Sequence, residues 1–260
     1  MIRSLFSGRT GMTGQQLQLD TIANNLANVN TSGFKKSRAQ FEDLYYQELR
    51  AMGTETTGGS QVPSGIQIGL GVRPTSVQKI FTQGSLTETG NELDWAIEGD
   101  GFFKINHNGE DYYTRAGAFT LDADGYIVNQ NGDRVQPEFA VPEGTQVISI
   151  NQNGLLSAKD SEQQILASTQ VTLHKFINPG GLRSVGGNLF KETDASGAPN
   201  EANPGTNGLG TISQRFMEVS NVDVTEELVN MIITQRAYEV NSKSVQTADK
   251  LLEVANTLAR

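Results

Sequence analysis

Residues 223–258 read DVTEELVNMIITQRAYEVNSKSVQTADKLLEVANTL, without a glycine or a proline in a chain that has 28 and 7 of them. Glycine and proline are the strongest local breakers of regular structure, so their absence over this span predicts one continuous helix. Asp223 stands three residues before Glu226, the spacing at which a side chain caps the first free amide and a glutamate reaches back to the cap. Met231, Tyr238, Val245, Leu252 and Ala259 recur every seven residues, accompanied by Leu228, Leu251, Leu258, Ala248 and Ala255. This is an apolar seam of the coiled-coil kind. At 1.5 Å per residue the helix would run roughly 50 Å, long for a domain of ordinary size. Such a helix needs a partner helix.

The other end of the chain offers one. Leu5, Met12, Leu19 and Leu26 also lie seven apart, with Ile22 and Val29 three residues after the last two. Gly8, Gly11 and Gly14 each cost about 1 kcal/mol relative to alanine in a helix, so this segment is expected to become helical only when packed. Gly33, after Asn30-Thr31-Ser32, is placed to end it. Phe34 to Arg50 is then expected to resume as a short amphipathic element, with Phe41, Leu44, Tyr45 and Leu49 on one face. Gly53 to Ser60 breaks the pattern. Val62 to Phe81 alternates Ile66, Ile68, Leu70 and Val72 ahead of Pro74, which predicts extended chain and a connector.

From Ser85 to about Phe190 the period is two. Asn108-Gly109, Asp124-Gly125, Asn131-Gly132 and Asn153-Gly154 are hairpin turn pairs, because these residues tolerate the positive φ that tight turns demand. The middle is read as an antiparallel β-domain. Asn178 to Gly187 and Asp194 to Gly210 read as loops, and Thr211 to Val219 as a last strand. The expected fold is therefore α+β. Paired N- and C-terminal helices, residues 1–33 and 222–260, join through a connector, 34–84 and 205–221, to a β-rich outer domain, 85–204.

The formal charge is −9, unevenly placed: residues 1–50 carry six Lys/Arg and four Asp/Glu, and residues 215–260 carry five and seven. An acidic middle argues against nucleic acid, which needs a basic face. With no cysteine there is neither a disulfide framework nor a thiolate metal site. No segment approaches a membrane span, and residues 1–20 hold no apolar run of signal-peptide length, so any export would use a route without a cleaved signal. Gly99-Asp-Gly101 lacks a Walker lysine and a following helix, and reads as a strand turn. Asp122-Ala-Asp124-Gly125 puts the glycine of a calcium loop at the wrong position. His107 and His174 show no metal spacing, and Asp94, Glu98, Asp100 and Glu110 lie among hairpin signals and read as solvated. Neither a nucleophile motif nor a cofactor motif is found, so no catalytic, cofactor or metal residue is assigned. The reading of a different class is a secreted carbohydrate-active or carbohydrate-binding β-protein.

Three sets of residues carry a resemblance. Ile22-Ala-Asn-Asn-Leu-Ala-Asn-Val29 with Thr31-Ser-Gly-Phe-Lys35 forms the first. The second is Asp94-Trp-Ala-Ile-Glu-Gly-Asp-Gly-Phe-Phe103 with Tyr113-Thr-Arg-Ala-Gly-Ala-Phe-Thr-Leu-Asp-Ala-Asp-Gly125. The third is Ser220-Asn-Val-Asp-Val224 with Glu227-Leu-Val-Asn-Met-Ile232 and Gln235-Arg-Ala-Tyr-Glu239. Together they span nearly the whole chain and resemble the signatures of the bacterial flagellar rod and hook family. The chain is short for the hook branch. The stretch Val62-Pro-Ser-Gly-Ile-Gln-Ile-Gly-Leu-Gly-Val-Arg-Pro74 and Gly205-Thr-Asn-Gly208 resemble the connector of the distal-rod branch, with the proximal rod as the alternative.

The resemblance implies a non-catalytic subunit that stacks helically into a hollow, torque-transmitting shaft across the periplasm, exported by the flagellar type III route. It implies terminal helices paired in an inner tube. The implied partners are copies of the chain, neighbouring rod and hook subunits and surrounding ring proteins, with no membrane insertion. The expected seam within a subunit is Leu5, Met12, Leu19, Ile22 and Leu26 against Leu228, Met231, Tyr238, Val245, Leu252 and Leu258. Expected assembly and connector contacts are Asn24, Asn25, Asn28, Phe34, Pro63, Ile66, Ile68, Val72, Arg73, Arg236 and Asn241.

Overall fold

The computed structural model describes residues 2–52 and 64–258, so Pro63 and the Gly53 to Ser60 stretch lie outside the described residues. The chain is α+β, opening on helix α1 (Ile2–Ala27), closing on helix α2 (Val224–Leu258), with strands between. It divides into two compact units. Met1–Leu26, Ser37–Gln78 and Asp223–Arg260 form a helical unit, and Ala27–Lys36 with Lys79–Val222 form a β unit.

In the helical unit, α2 starts where its cap predicts: Asp223 Oδ1 accepts the amides of Thr225 and Glu226 at 2.8 and 3.1 Å. Glu226 and Glu227 occupy its first turn, where negative charge suits the helix dipole. The glycines of α1 do not break it, and each lies where another element comes close. A Cβ on Gly8 would sit 2.8 Å from Val245 Cγ2, and one on Gly11 2.9 Å from Asn241 Nδ2. As residue numbers rise in α1 they fall in α2, so these contacts run antiparallel. A Cβ on Gly14 would meet Phe41 at 3.3 Å and Val72 at 3.8 Å, on a different neighbour.

Phe34 to Arg50 is not an amphipathic helical element. It forms strands Ser37–Asp43, paired with Val72–Lys79, and Tyr46–Arg50, paired antiparallel with Ile66–Gly69. The i, i+3, i+4 spacing of Phe41, Leu44 and Tyr45 does not make a buried face: Tyr45 is 89% exposed and Phe41 38%. Long-range strand pairing overrides a short local period.

The β unit is built on a seven-stranded sheet whose order is Arg183–Gly186, Leu189–Lys191, Glu110–Thr114, Phe103–His107, Arg134–Gln136, Ile127–Val128 and Thr120–Leu121. Its central hairpin pairs Phe103 with Thr114 and His107 with Glu110, closed by Asn108 at φ 53° and Gly109 at φ 83°. A three-stranded sheet, Val147–Ile150, Leu155–Lys159 and Ile165–Gln170, supplies a further layer. The two loops expected after Lys175 hold strands of their own, Arg183–Gly186 and Asn200–Ala202, whose Gly- and Asn-rich composition masked them. The expected last strand is broken at Arg215, φ 66°, into Thr211–Gln214 against Trp95–Glu98 and Phe216–Glu218 against Leu86–Glu88.

The core of this unit gathers Trp95, Ile97, Phe103, Phe119, Leu156 and Ile212, all nearly free of solvent. Phe119 meets Trp95 and Phe103 edge to face, with ring centroids 5.2 Å and 5.4 Å away. Asp94 is buried rather than solvated, and its carboxylate accepts Thr89 Oγ1 at 2.6 Å and Asn91 Nδ2 at 3.1 Å. A buried carboxylate this well bonded fixes the turn into the Trp95 strand.

Candidate functional site

Two features stand out from the packing. The first is an ion cluster inside the β unit. Glu218 ends the Phe216–Glu218 strand with its side chain only 1% exposed, and its two oxygens take different cations: Lys35 Nζ at 2.6 Å and Arg115 Nε at 2.8 Å. Lys35 also donates to Thr82 O at 2.8 Å. Arg115 donates to Gly99 O and Gly101 O at 2.8 Å each and to Ile97 O at 3.3 Å. The amide of Gly84 donates to Glu218 Oε1 at 2.9 Å, and that of Gly33 to the Glu218 carbonyl at 2.8 Å.

Electrostatics follow from that geometry. Burial lowers the Lys35 pKa, against the pull of Glu218. Burial pushes Glu218 upward, but Arg115, Lys35 and the hydrogen bonds outweigh it and leave the carboxyl below its usual range. Glu218 is therefore held as a carboxylate in the interior, which such dense pairing permits, while the lowered Lys35 pKa reflects the cost of its burial. Gly33 must be glycine here: its φ is 67°, and a Cβ would come within 2.6 Å of the Ala116 nitrogen. Asn221 ties the same region, donating to Ile80 O and Thr82 O and accepting the Lys36 amide at 2.7 Å.

The second feature is the surface of the helical unit. Leu5, Met12, Leu19 and Leu26 are half-buried, as are Met231, Val245 and Leu252. Ile22 is fully buried, whereas Tyr238, Leu228 and Leu258 are 38%, 44% and 83% exposed. The most buried α2 positions are Glu227, Thr234 and Ala248. Sequence reasoning did not single out Glu227 or Thr234, because a polar residue gives an apolar period no signal; Thr234 meets its own needs by bonding Asn230 O at 2.7 Å.

The remaining expected contacts are dispersed. Asn25 is buried and makes a reciprocal pair with the Ser37 backbone, both bonds 2.8 Å. Asn24 is exposed, and Asn28 accepts Thr31 Oγ1. Phe34 is buried in the β unit under the Lys79 ammonium, 4.6 Å from its ring. In the helical unit Ile66 and Ile68 are exposed, Val72 donates to Thr10 Oγ1, Arg73 pairs with Glu42, Arg236 pairs with Glu239 at 3.0 Å, and Asn241 is half-buried beside Gly11.

Of the two histidines, His107 meets Asp133 at 2.5 Å, while His174 is buried with Nδ1 unbonded and its pKa lowered by burial. Among the described residues no cluster of three or more His, Cys, Asp or Glu side chains could hold a metal ion. No helix among the described residues is long and apolar enough to cross a membrane.

The family model for "Flagella basal body rod protein" matches residues 5–35, that for "Flagellar hook protein FlgE/F/G D1 domain" residues 96–158, and that for "Flagellar basal body rod FlgEFG protein C-terminal" residues 213–258. The flagellar basal-body rod protein FlgG of Buchnera aphidicola subsp. Acyrthosiphon pisum is 47% identical over 99% of this chain and 100% of its own length. FlgG of Borreliella burgdorferi is 46% identical over the full length of both. The chain belongs to the flagellar basal-body rod protein family. A solved structure, the Helicobacter pylori flagellar hook protein FlgE2, matches at 14% identity and a TM-score of 0.25 over 71% of this chain and 43% of that one, too slight a likeness to bear on the fold.

Membership in the rod family gives the ion cluster its meaning. Lys35, Arg115 and Glu218 each come from a different one of the three matched segments. Segments far apart in sequence are thus held together by one carboxylate. The family is structural, and its place is the flagellar basal body.

Proposed function

We propose that this chain is the distal-rod subunit, a non-catalytic protein that polymerises with copies of itself and with neighbouring rod and hook subunits into a hollow drive shaft. The observation that carries this reading is the surface of α2. Val229, Ile232, Ile233, Val240 and Val254 are each 50–62% exposed on one helix, beside an α1 contact made through glycines. Helices that leave this much apolar surface in water bury it in an assembly. Because the same patch cannot face itself in a head-to-tail stack, repeating the contact without closure gives a filament.

In this reading α1 and α2 pair as a coiled coil within the subunit, along Leu5, Met12, Leu19, Ile22 and Leu26 on one side and Leu228, Met231, Tyr238, Val245, Leu252 and Leu258 on the other. Their remaining faces meet neighbours, and the connector strands with Pro63, Ile66, Ile68, Val72 and Arg73 brace adjacent subunits. Asn24, Asn28, Arg236 and Asn241 add polar contacts. Ring proteins surround the shaft in the periplasm, and no part of the chain inserts in a membrane. The test is Leu252→Asp, a charge placed in the seam. It is expected to abolish polymerisation of concentrated protein and motility of cells relying on it; unchanged assembly and swimming would sink the reading.

A further inference from the structure

The β unit holds a cleft of about 330 Å³ that the assembly reading does not use. Three turns wall it: residues 30–32, 129–131 and 187–188. Its volume lies within the roughly 300–1,000 Å³ typical of small-molecule sites. In a protein with nine surplus negative charges, no residue lining this cleft is charged. Five are carboxamides: Asn30, Asn129, Gln130, Asn131 and Asn188.

Two of the five are structural. Asn129 Oδ1 accepts the Asn131 and Asp133 amides at 2.9 Å each, and its Nδ2 donates to Asp133. Asn188 Nδ2 donates to Ser32 O at 3.1 Å, while its own carbonyl accepts Thr114 Oγ1 at 2.8 Å. These bonds hold the turns in place. The side chains of Asn30, Gln130 and Asn131 make no hydrogen bond among the described residues, so each presents a free donor and a free acceptor. Beneath them Ile105, Ala116, Ala118 and Leu189 form an apolar floor.

The chemistry of that lining selects a ligand class. A charged ligand would find no counter-ion, and an apolar one would leave the amides unpaired at a cost. A ligand dense in groups that both donate and accept, with a C–H face for the floor, satisfies both. An extended peptide is favoured by a free strand edge, and here Ile105, Thr114 and Leu189 lie on strands paired on both sides within the seven-stranded sheet. We propose that the cleft between these three turns binds a neutral saccharide, with Asn30, Gln130 and Asn131 bonding its hydroxyl or acetamido groups.

The test uses the full chain, with saturation-transfer NMR and calorimetry. The probes are chitotriose, cellotriose, an oligoglucuronate and acetyl-trialanine amide. A neutral trisaccharide is expected to bind with an affinity that does not change between low and high salt, since no charge is involved. Gln130→Ala and Asn131→Ala are each expected to weaken it about tenfold, the worth of a lost hydrogen bond. Both side chains are exposed, so thermal unfolding should match the parent. Preference for chitotriose would show that the acetamido group is read, and preference for cellotriose that hydroxyls suffice; either supports the site. The proposal is overturned if neither neutral sugar binds, if the oligoglucuronate or the peptide binds better, or if both substitutions leave the affinity unchanged. It does not depend on how the helices assemble.

Discussion

Glu218 neutralises two buried cations with one carboxylate, and it does so across 183 residues to Lys35 and 103 to Arg115. Removing one partner of a buried ion pair leaves an uncompensated charge, typically at 3–5 kcal/mol. Glu218→Gln should therefore destabilise the β unit by about 3–5 kcal/mol in urea unfolding. The acid response carries the same signature. The folded carboxyl lies below its usual range, so the unfolded chain takes up the proton first. The contribution of Glu218 is complete above the ordinary carboxylate pKa, about 4.3, and is lost as pH falls through the lowered value. Glu218→Gln should flatten that acid limb, and an unchanged pH profile would count against the assignment. Nothing local in the sequence marks Glu218, because its partners are distant and its strand is three residues long. Lys35 and Arg115 stood inside the resembling motifs without a reason for being there. Asp94 departs from its expected solvation for a related cause: the hairpin signals around it are real, but the hydrogen bonds from Thr89 and Asn91 that allow its burial are visible only in three dimensions.

At the scale of elements, the glycines of α1 show how propensity and packing oppose each other. Gly→Ala in a helix gains about 1 kcal/mol from propensity alone. At Gly8 the added methyl would fall 2.8 Å from Val245 Cγ2, a β-branched side chain with little freedom to move. At Gly11 the obstacle is Asn241 Nδ2, the mobile end of a longer side chain. Gly8→Ala is thus expected to lower the helical content and melting temperature of the assembled protein, and Gly11→Ala to raise them or leave them unchanged. Equal effects would mean that α1 does not rest on α2 at Gly8. The extent of α2 was legible from residues 223–258 because its cap and its unbroken run are local properties. The strands of 37–50 were not, since Phe41, Leu44, Tyr45 and Leu49 fit a helical period by chance. Their true partners, Val72–Lys79 and Ile66–Gly69, lie on the far side of a glycine-rich stretch. The turn pair Asn108-Gly109 was legible for the opposite reason, because its backbone requirement is met by the two residues themselves.

For the whole molecule, stability is unevenly distributed between the units. The β unit has a continuous aromatic and aliphatic core, while α2, over 35 residues, fully buries only Glu227, Thr234 and Ala248, none of them large and apolar. A helix draws most of its stability from the face it packs, and in a lone subunit α2 packs no large apolar side chain fully, only the half-buried Met231, Val245 and Leu252. In the proposed assembly, neighbouring subunits would cover Ile232, Ile233 and Val240, which are 59–62% exposed in the single chain. Hydrogen exchange on dilute protein should then show amides of α1 and α2 exchanging well before those of Phe103–His107 and Glu110–Thr114, and the same helices becoming protected once the protein polymerises. Equal protection of helices and central strands in the monomer would mean that the terminal helices are stable alone. In that case the exposed apolar row on α2 would govern only how tightly subunits bind, and not whether the helices form.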